Sequence, residues 1–208
     1  MIQGSDEWFQ FRLGKVSASR VADIMAKTKS GPAASRVNYQ MELLCQRLTG
    51  EREESFVSTA MQRGTDLEPI ARSAYEVATG IMVQETGAHT HPTISNFIAS
   101  PDGLCGDDGL VEIKCMNTAN HVDFIRRKIP DGRYQWQMLA QMACTGREWC
   151  DFVSFDDRLP EPLQFRHIRF MRDNDRIKEM EIEVGKFLEE LERLTDEMMA
   201  EAKSNEQL

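Results

Sequence analysis

The stretch Gly109-Leu110-Val111-Glu112-Ile113-Lys114-Cys115 follows Pro101-Asp102-Gly103 after a short connection. Read as a strand, it has the period-2 geometry that places Glu112 and Lys114 on one face and Val111, Ile113 and Cys115 on the other, where a core can bury them. The Gly-Asp-Asp-Gly segment at 106–109 is typical of a turn, which would fold Asp102 back beside Glu112. The pattern therefore predicts a hairpin that leads into a central strand.

This hairpin would bring two carboxylates and an ammonium group together. Carboxylate oxygens are the hard ligands that Mg²⁺ or Mn²⁺ prefers. The ammonium group of Lys114 would orient or activate a water molecule and stabilise charge at a phosphorus atom. These are the requirements of a metal-dependent phosphodiesterase. The same residues also fit a plain hairpin with a solvated Glu–Lys face, so the motif alone leaves both interpretations open.

Length and composition are those of a globular protein. The 208 residues, 41% hydrophobic and 28% charged, predict one domain over residues 1–208 with a full core. No run approaches the roughly 18 apolar residues of a membrane span, and the N-terminal residues lack the pattern of an export signal. Five scattered cysteines indicate free thiols in a reducing cytoplasm, most of them in the core.

The net charge of −9 is unevenly distributed along the sequence. Basic residues outnumber acidic ones over residues 1–36, whereas residues 173–208 are strongly acidic. Because phosphate binding depends on the local field, a basic patch on an acidic protein permits nucleic-acid binding without demanding it.

Hydrophobic periodicity predicts an α/β architecture, with a central mixed β-sheet flanked by helices. The stripe from Ile177 to Met198 is predicted to face the core. Segment 28–37 is interpreted as a flexible basic loop, and Pro69 as a kink or the first turn of a second helix. The predicted helices are 7–13, a short one after Ser17-Ala18-Ser19, 37–49, 58–79, 120–128, 134–144 and about 174–203. The predicted strands are 81–90 paired with 96–100, then 110–115, 149–155 and 163–172.

Four blocks in this order carry a family resemblance. They are Glu7-Trp8 through Ser19, Arg63-Gly64-Thr65-Asp66-Leu67-Glu68, Ser100-Pro101-Asp102-Gly103-Leu104 with Val111–Cys115, and Tyr134-Gln135-Trp136-Gln137. Together they resemble the lambda-exonuclease-like members of the YqaJ-type viral recombinase family, which have the PD-(D/E)XK nuclease fold. The resemblance implies a Mg²⁺-dependent 5′-to-3′ exonuclease, with Mn²⁺ as a possible substitute, that acts processively on double-stranded DNA ends and leaves 3′ single strands for recombination.

The resemblance also implies roles for residues of the metal core. Asp102, Glu112 and the main-chain carbonyl of Ile113 would ligate the metal. Lys114 would engage the attacking water. Two residues from helices would complete this group: Glu68, near the metal directly or through water, and Gln137, as a hydrogen-bonding partner in the same site.

A second set of implied residues would bind DNA. Arg12 and Ser19 would hold the terminal 5′ phosphate with Ser100 nearby, which agrees with the fork that arginine offers to phosphate oxygens. Two looser assignments are Lys29, on a basic loop that approaches the duplex, and Met61, as a wedge that splays its end. The chain departs from the family where an acidic residue is expected about ten positions before Asp102, since Pro92 stands there.

The partners follow from the resemblance as well. They are a DNA end, preferably 5′-phosphorylated, two further copies of the chain in a ring-shaped homotrimer, and a single-strand-annealing recombination protein. The expected location is the cytoplasm of a bacterial host, with the gene carried by a phage or prophage.

Several of these residues have simpler explanations. Arg12 fits a solvated helix position, Glu68 an i,i+4 pair with Arg72, and Gln137 and Gln141 the polar side of an amphipathic helix. The pair His89 and His91, and the pair His121 and Asp123, resemble metal-ligand spacings but lack further ligands, which favours structural roles.

Two other functions compete with the exonuclease. An endonuclease on the same fold would share the metal core but lack a use for a 5′-phosphate pocket. A non-catalytic DNA-binding or assembly protein would have a degenerate site, which the intact Asp102, Glu112 and Lys114 argue against.

Overall fold

The computed structural model describes residues 3–29, 31–52 and 58–205. The helices are α1 (Asp6–Arg12), α2 (Val21–Met25), α3 (Ala34–Thr49), α4 (Thr59–Thr79), α5 (Thr118–Arg127), α6 (Gly132–Thr145), α7 (Glu161–Gln164) and α8 (Asn174–Asn205), with a 3₁₀ turn at Ala18–Arg20. The strands are β1 (Val16–Ser17), β2 (Lys27–Thr28), β3 (Gly31–Pro32), β4 (Val83–Gln84), β5 (His89–Thr90), β6 (Phe97–Ala99), β7 (Gly103–Cys105), β8 (Gly109–Lys114), β9 (Trp149–Phe155) and β10 (Phe165–Met171).

The largest sheet is mixed, with the strand order β10-β9-β8-β7-β4. Strands β8 and β9 are parallel, and the other pairs are antiparallel. Strand β8 therefore lies at the centre of the sheet, as predicted. A three-stranded sheet, β1-β6-β5, contains the strand that immediately precedes Asp102. This arrangement confirms the prediction of mixed strands flanked by helices.

Both faces of β8 are buried, whereas the alternation predicted burial only for the face of Val111 and Ile113. Val111 and Ile113 pack with Leu67 and Tyr75 of α4. Leu110, on the other face, belongs to the main core. Glu112 shares this second face and lies at the centre of the sheet with no exposed side-chain surface.

Helix α8 covers the far side of the main core with its apolar stripe. Phe187 is completely buried and stacks on Tyr39 of α3, with ring centroids 5.6 Å apart. The acidic side of α8 pairs with basic residues of α3: Arg36 with Glu190 at 2.9 Å and Arg47 with Glu192 at 2.7 Å. The stripe is therefore a core surface as predicted from Ile177 to Leu194, whereas its last member, Met198, is 48% exposed.

Some predicted elements were wrong in extent. Segment 81–90 forms two strands, because Thr86-Gly87-Ala88 interrupts the alternation: β4 pairs with β7, whereas β5 pairs with β6 as predicted. Residues 27–32 include a short hairpin in place of a loop, and α3 begins at Ala34. Helix α4 continues through Pro69, so no second helix begins there. Residues 161–164 form a helical turn with Pro162 at its start, which delays β10 to Phe165.

Cys105, Cys144 and Cys150 are buried as predicted, whereas Cys45 and Cys115 are partly exposed, and all five thiols are free. Within residues 3–29, 31–52 and 58–205, no helix has the length and apolar character needed to cross a bilayer.

Candidate active site

The hairpin of β7 and β8 brings Asp102 beside Glu112. Gly103 pairs with Val111, and Asp102 Oδ2 accepts a hydrogen bond of 2.6 Å from the main-chain nitrogen of Ile113. A side chain at position 103 would collide with Val83, so glycine permits the close approach of β4. The carboxylate of Asp102 is thereby fixed to the backbone of the strand that carries Glu112.

Glu112 accepts from three side-chain donors. Gln137 Nε2 contacts Glu112 Oε1 at 2.6 Å, and Lys114 Nζ contacts the same oxygen at 2.5 Å. Gln141 Nε2 contacts the other oxygen, Oε2, at 2.5 Å. An ionised carboxylate in a protein interior needs such partners, because charge-assisted hydrogen bonds offset part of its desolvation. The two glutamines are therefore more than the polar side of an amphipathic helix.

Sequence reasoning did not assign a role to Gln141. The available signal was its i,i+4 spacing from Gln137, which places both amides on one side of α6. The periodicity of one helix does not reveal which strand faces it, so the partner Glu112 becomes apparent in the fold.

Lys114 is the ammonium group of this cluster, with 29% of its side chain exposed. Burial lowers the pKa of Lys114, but attraction to the carboxylates of Glu112 and Asp102 outweighs burial and raises it. The side chain therefore remains charged at neutral pH. It is placed to attract an anion or to orient a water molecule beside the two carboxylates.

The carboxylates repel one another. Burial, followed by repulsion from Glu112 and a smaller contribution from Glu68, raises the pKa of Asp102 well above its usual range. Burial also raises the pKa of Glu68, with a further contribution from Glu112, while Arg72 and Lys114 oppose this rise. A bound cation would relieve this repulsion, since it favours the ionised form of every carboxylate near it.

Glu68 has two sets of neighbours. It pairs with Arg72 at 3.3 Å, which is the simpler explanation considered for it. It also lies close enough to Glu112 and Lys114 to interact with their charges. The structure therefore places Glu68 beside the cluster while Arg72 holds it by an i,i+4 pair.

The donor set fits a hard divalent cation. Asp102 and Glu112 supply carboxylate oxygens, and Ile113, which follows Glu112 and donates its main-chain N–H to Asp102, adds a main-chain carbonyl. Across the part of the chain that the structure describes, no three His, Cys, Asp or Glu side chains form a ready-made metal cage. A cation held here would keep positions for water or substrate, as Mg²⁺ usually does.

Arg12 is connected to this cluster through Ser100. Ser100 Oγ accepts from Trp8 Nε1 at 3.0 Å and from Arg12 Nη1 at 3.4 Å. The guanidinium also lies over the ring of Trp8, 4.1 Å from its centroid. Since Ser100 precedes Asp102 by two residues, one short segment joins the cation Arg12 to the candidate metal site. Arg12 is thus held in place rather than freely solvated.

Arg12, Ser19 and Met61 line one open cleft of about 890 Å³. Ser17 Oγ and Ser19 Oγ are 3.3 Å apart, and the main-chain nitrogen of Ser17 donates to the hydroxyl of Tyr39 at 3.0 Å. The cleft therefore contains hydroxyl groups and a guanidinium, a combination that suits a phosphate group.

Lys29, predicted on a loop that approaches the duplex, is exposed next to β2 and is not among the residues that line the cleft. Arg52, which sequence reasoning missed, does line it and lies over the ring of Phe9 at 4.2 Å. No motif marked Arg52, because it lies between predicted helices.

The family model described as YqaJ-like viral recombinase domain matches residues 7–148. The chain belongs to this family. It is therefore a nuclease, and the resemblance seen in the sequence is confirmed. No match was found among curated protein sequences.

Crystal structures of related proteins agree with this family membership. LHK-Exo, an alkaline exonuclease from Laribacter hongkongensis, is 54% identical with a TM-score of 0.91, over 96% of this chain and 99% of that chain. The structure of LHK-Exo in complex with dAMP gives 55% identity and a TM-score of 0.92 over the same shares. A phage related exonuclease from Haemophilus somnus 129PT, 18% identical over 88% of this chain and 96% of that chain, shares the fold with a TM-score of 0.73. The predicted nuclease fold is confirmed.

The buried histidines His91 and His121 make contacts that are typical of structural residues. His121 is completely buried, with Nδ1 2.5 Å from Ser154 Oγ and Nε2 2.8 Å from the carbonyl oxygen of Leu163. His91 stacks on Phe97, and its Nε2 lies 3.0 Å from Glu181. These contacts agree with the structural roles expected for both residues.

Proposed function

We propose that the chain is a Mg²⁺-dependent exonuclease that digests one strand of double-stranded DNA from its 5′ end, with Mn²⁺ as a substitute. The single observation that carries the proposal is the link between the acidic cluster and the Arg12 cleft. Arg12 of this cleft contacts Ser100, two residues before Asp102 of the cluster, which supports a hydrolytic centre next to an anion site. LHK-Exo, which shares more than half of its residues with this chain, is an alkaline exonuclease.

In this proposal Asp102, Glu112 and the carbonyl of Ile113 hold the cation, with Glu68 near it directly or through water. When bound, the metal supplies Lewis-acid activation of the phosphoryl group and a water of lowered pKa. Lys114 orients the attacking water and stabilises negative charge at the phosphorus. Gln137 holds Glu112 through its hydrogen bond to Oε1.

The proposed digestion from the 5′ end rests on the cleft that Arg12 lines. Arg12 would receive the terminal 5′ phosphate with Ser19 and Ser100, since a guanidinium donates two parallel hydrogen bonds to phosphate oxygens. Burial is the largest cause that lowers the pKa of Arg12, and the nearby Arg52 lowers it further, while Tyr39 opposes them. A phosphate between the two guanidinium groups would relieve their repulsion. Met61, with 57% of its surface exposed beside the cleft, would act as the wedge at the duplex end.

The remaining parts of the proposal concern assembly. We propose that residues 1–208 act as one nuclease domain within a ring-shaped homotrimer. The ring would digest processively, leave 3′ single strands and deliver them to a single-strand-annealing protein. Lys29, on its exposed hairpin, would approach the duplex. Because the chain carries a net charge of −9, three copies of the basic N-terminal region would hold DNA better than one. The expected setting is a phage or prophage function in the bacterial cytoplasm.

The test is digestion of a linear duplex that carries a label at either end, with a 5′ phosphate or a 5′ hydroxyl, in Mg²⁺ or EDTA. We expect Mg²⁺-dependent release of label from 5′ ends and faster digestion of the phosphorylated duplex. A covalently closed circular duplex serves as the matched substrate without ends. Cleavage of the circle at the same rate as the linear duplex would replace this proposal with the endonuclease. Absence of any cleavage with Mg²⁺ or Mn²⁺ would favour a non-catalytic DNA-binding protein.

A further inference from the structure

Gln141 lies one helical turn after Gln137 on α6 and is completely buried. Its Nε2 is 2.5 Å from Glu112 Oε2, whereas Gln137 and Lys114 both contact Oε1. The two carboxylate oxygens of Glu112 therefore have different partners. Oε2 faces Gln141 in the C-terminal half of α6, and Oε1 faces Gln137 and the ammonium group of Lys114.

The amide of Gln141 is itself held in one orientation. Cys150 of β9 is completely buried, and its Sγ donates to Gln141 Oε1 at 3.9 Å. A thiol is a weak donor, so the stronger constraint is the charge-assisted bond to the carboxylate. Both contacts require the same orientation, with the amide nitrogen towards Glu112 and the amide oxygen towards β9.

We infer that Gln141 is a positioning residue for Glu112, which fixes the rotation of the carboxylate and keeps Oε1 directed towards the candidate metal site. The inference rests on the proposed metal-dependent function. It goes beyond the sequence blocks that carry the family resemblance, since the Tyr134-Gln135-Trp136-Gln137 block ends before Gln141.

Loss of this donor has a specific consequence for metal binding. Oε2 would become a buried acceptor without a partner, and Glu112 would rotate to share its remaining donors between both oxygens. Residues that hold a metal ligand through a hydrogen bond typically contribute ~10–100-fold to metal affinity. The effect of Gln141 should therefore appear in metal affinity, while the chemical step at saturating metal is largely preserved.

The test compares Gln141→Met with Gln135→Met. Methionine has a similar length and removes the amide. Gln135 is a matched control on the same helix, because its amide bonds to the carbonyl of Pro130 and to Arg176, away from the acidic cluster. Isothermal titration calorimetry with Mn²⁺ gives the Kd for each protein, and cleavage assays give the half-saturating Mn²⁺ concentration and the rate at saturation.

We expect Gln141→Met to raise the Mn²⁺ Kd and the half-saturating concentration by ~10–100-fold, with recovery of the rate at high Mn²⁺. Gln135→Met should bind Mn²⁺ as the wild type does. An unchanged Kd in Gln141→Met would overturn the inference. If that variant does not fold, Gln141→Asn replaces it, since its shorter side chain withdraws the donor but keeps an amide. A wild type that binds no Mn²⁺ would refute the proposed function itself.

Discussion

Replacement of Lys114 by methionine removes the ammonium group from the acidic cluster and keeps much of the side-chain length. Lys114 Nζ is 2.5 Å from Glu112 Oε1, and its charge also interacts with Asp102 and Glu68. In Lys114→Met the three carboxylates would repel one another without a compensating cation. The metal-free protein should therefore be less stable, and a bound divalent cation should restore much of the loss.

The magnitude follows from the surroundings of the pair. Removal of one partner from a buried ion pair costs about 3–5 kcal/mol. Here 29% of the Lys114 side chain is exposed, so water solvates part of the altered site, and Gln137 and Gln141 still donate to Glu112. We expect a loss of about 1–3 kcal/mol in the free energy of unfolding, which lowers Tm by roughly 2–12 °C for a chain of this size. Cleavage should fall by about 10²–10⁴-fold, the usual contribution of a group that acts on the attacking water.

Scanning calorimetry in EDTA and in Mg²⁺ measures the first effect, and digestion of a labelled duplex measures the second. Lys178→Met is the matched control, because Lys178 is exposed on α8, outside the acidic cluster. A Lys114→Met protein that cleaves at the wild-type rate would refute the catalytic role. An unchanged Tm in EDTA would refute the claim that its charge balances the carboxylates.

Three further substitutions test other parts of the site. Arg12→Ala should reduce the preference for 5′-phosphorylated over 5′-hydroxyl duplexes by ~10–100-fold, since hydrogen bonds to charged groups contribute about 1.5–3 kcal/mol; an unchanged ratio of digestion rates would contradict the phosphate assignment. Asp102→Asn should stabilise the metal-free protein near pH 8 and abolish Mg²⁺ stabilisation. Burial and Glu112 raise the pKa of Asp102, so the free energy of unfolding of the wild type should fall as pH rises from about 4 towards that raised pKa. Urea unfolding at a series of pH values should show that Asp102→Asn lacks this decrease. Tyr39→Phe should cost about 1–3 kcal/mol, because the buried nitrogen of Ser17 loses its acceptor; an unshifted urea midpoint would show that another group accepts from it.

The central strand β8 and the long helix α8 could be predicted from the sequence because each depends on a pattern within a short stretch of residues. Alternation along 109–115 and the Gly-rich turn before it determine which side chains of β8 share a face, and both were confirmed. The apolar stripe of α8 has the same local character. The family blocks then identified Ser100 and Arg12, whose contact across 88 positions no local pattern reveals.

The parts that could not be predicted depend on distant partners. Strands β4 and β5 are two residues long, and their separation into different sheets depends on the strands that they meet. Gln141 contacts an oxygen of a residue 29 positions away, and helical periodicity assigned it only to the polar side of an amphipathic helix. Arg52 lies outside every predicted element and becomes notable through its position beside Arg12 and Phe9.

Pro101 is the one residue between Ser100, which contacts Arg12, and Asp102. Two residues of chain span at most about 7 Å, and the ring of proline removes most of the rotational freedom at this point. Under the proposed function, the distance between the 5′ phosphate held by Arg12 and the phosphodiester bond cleaved beside Asp102 would be constant. The enzyme would then release products of uniform length and advance in equal increments, whichever base occupies the end.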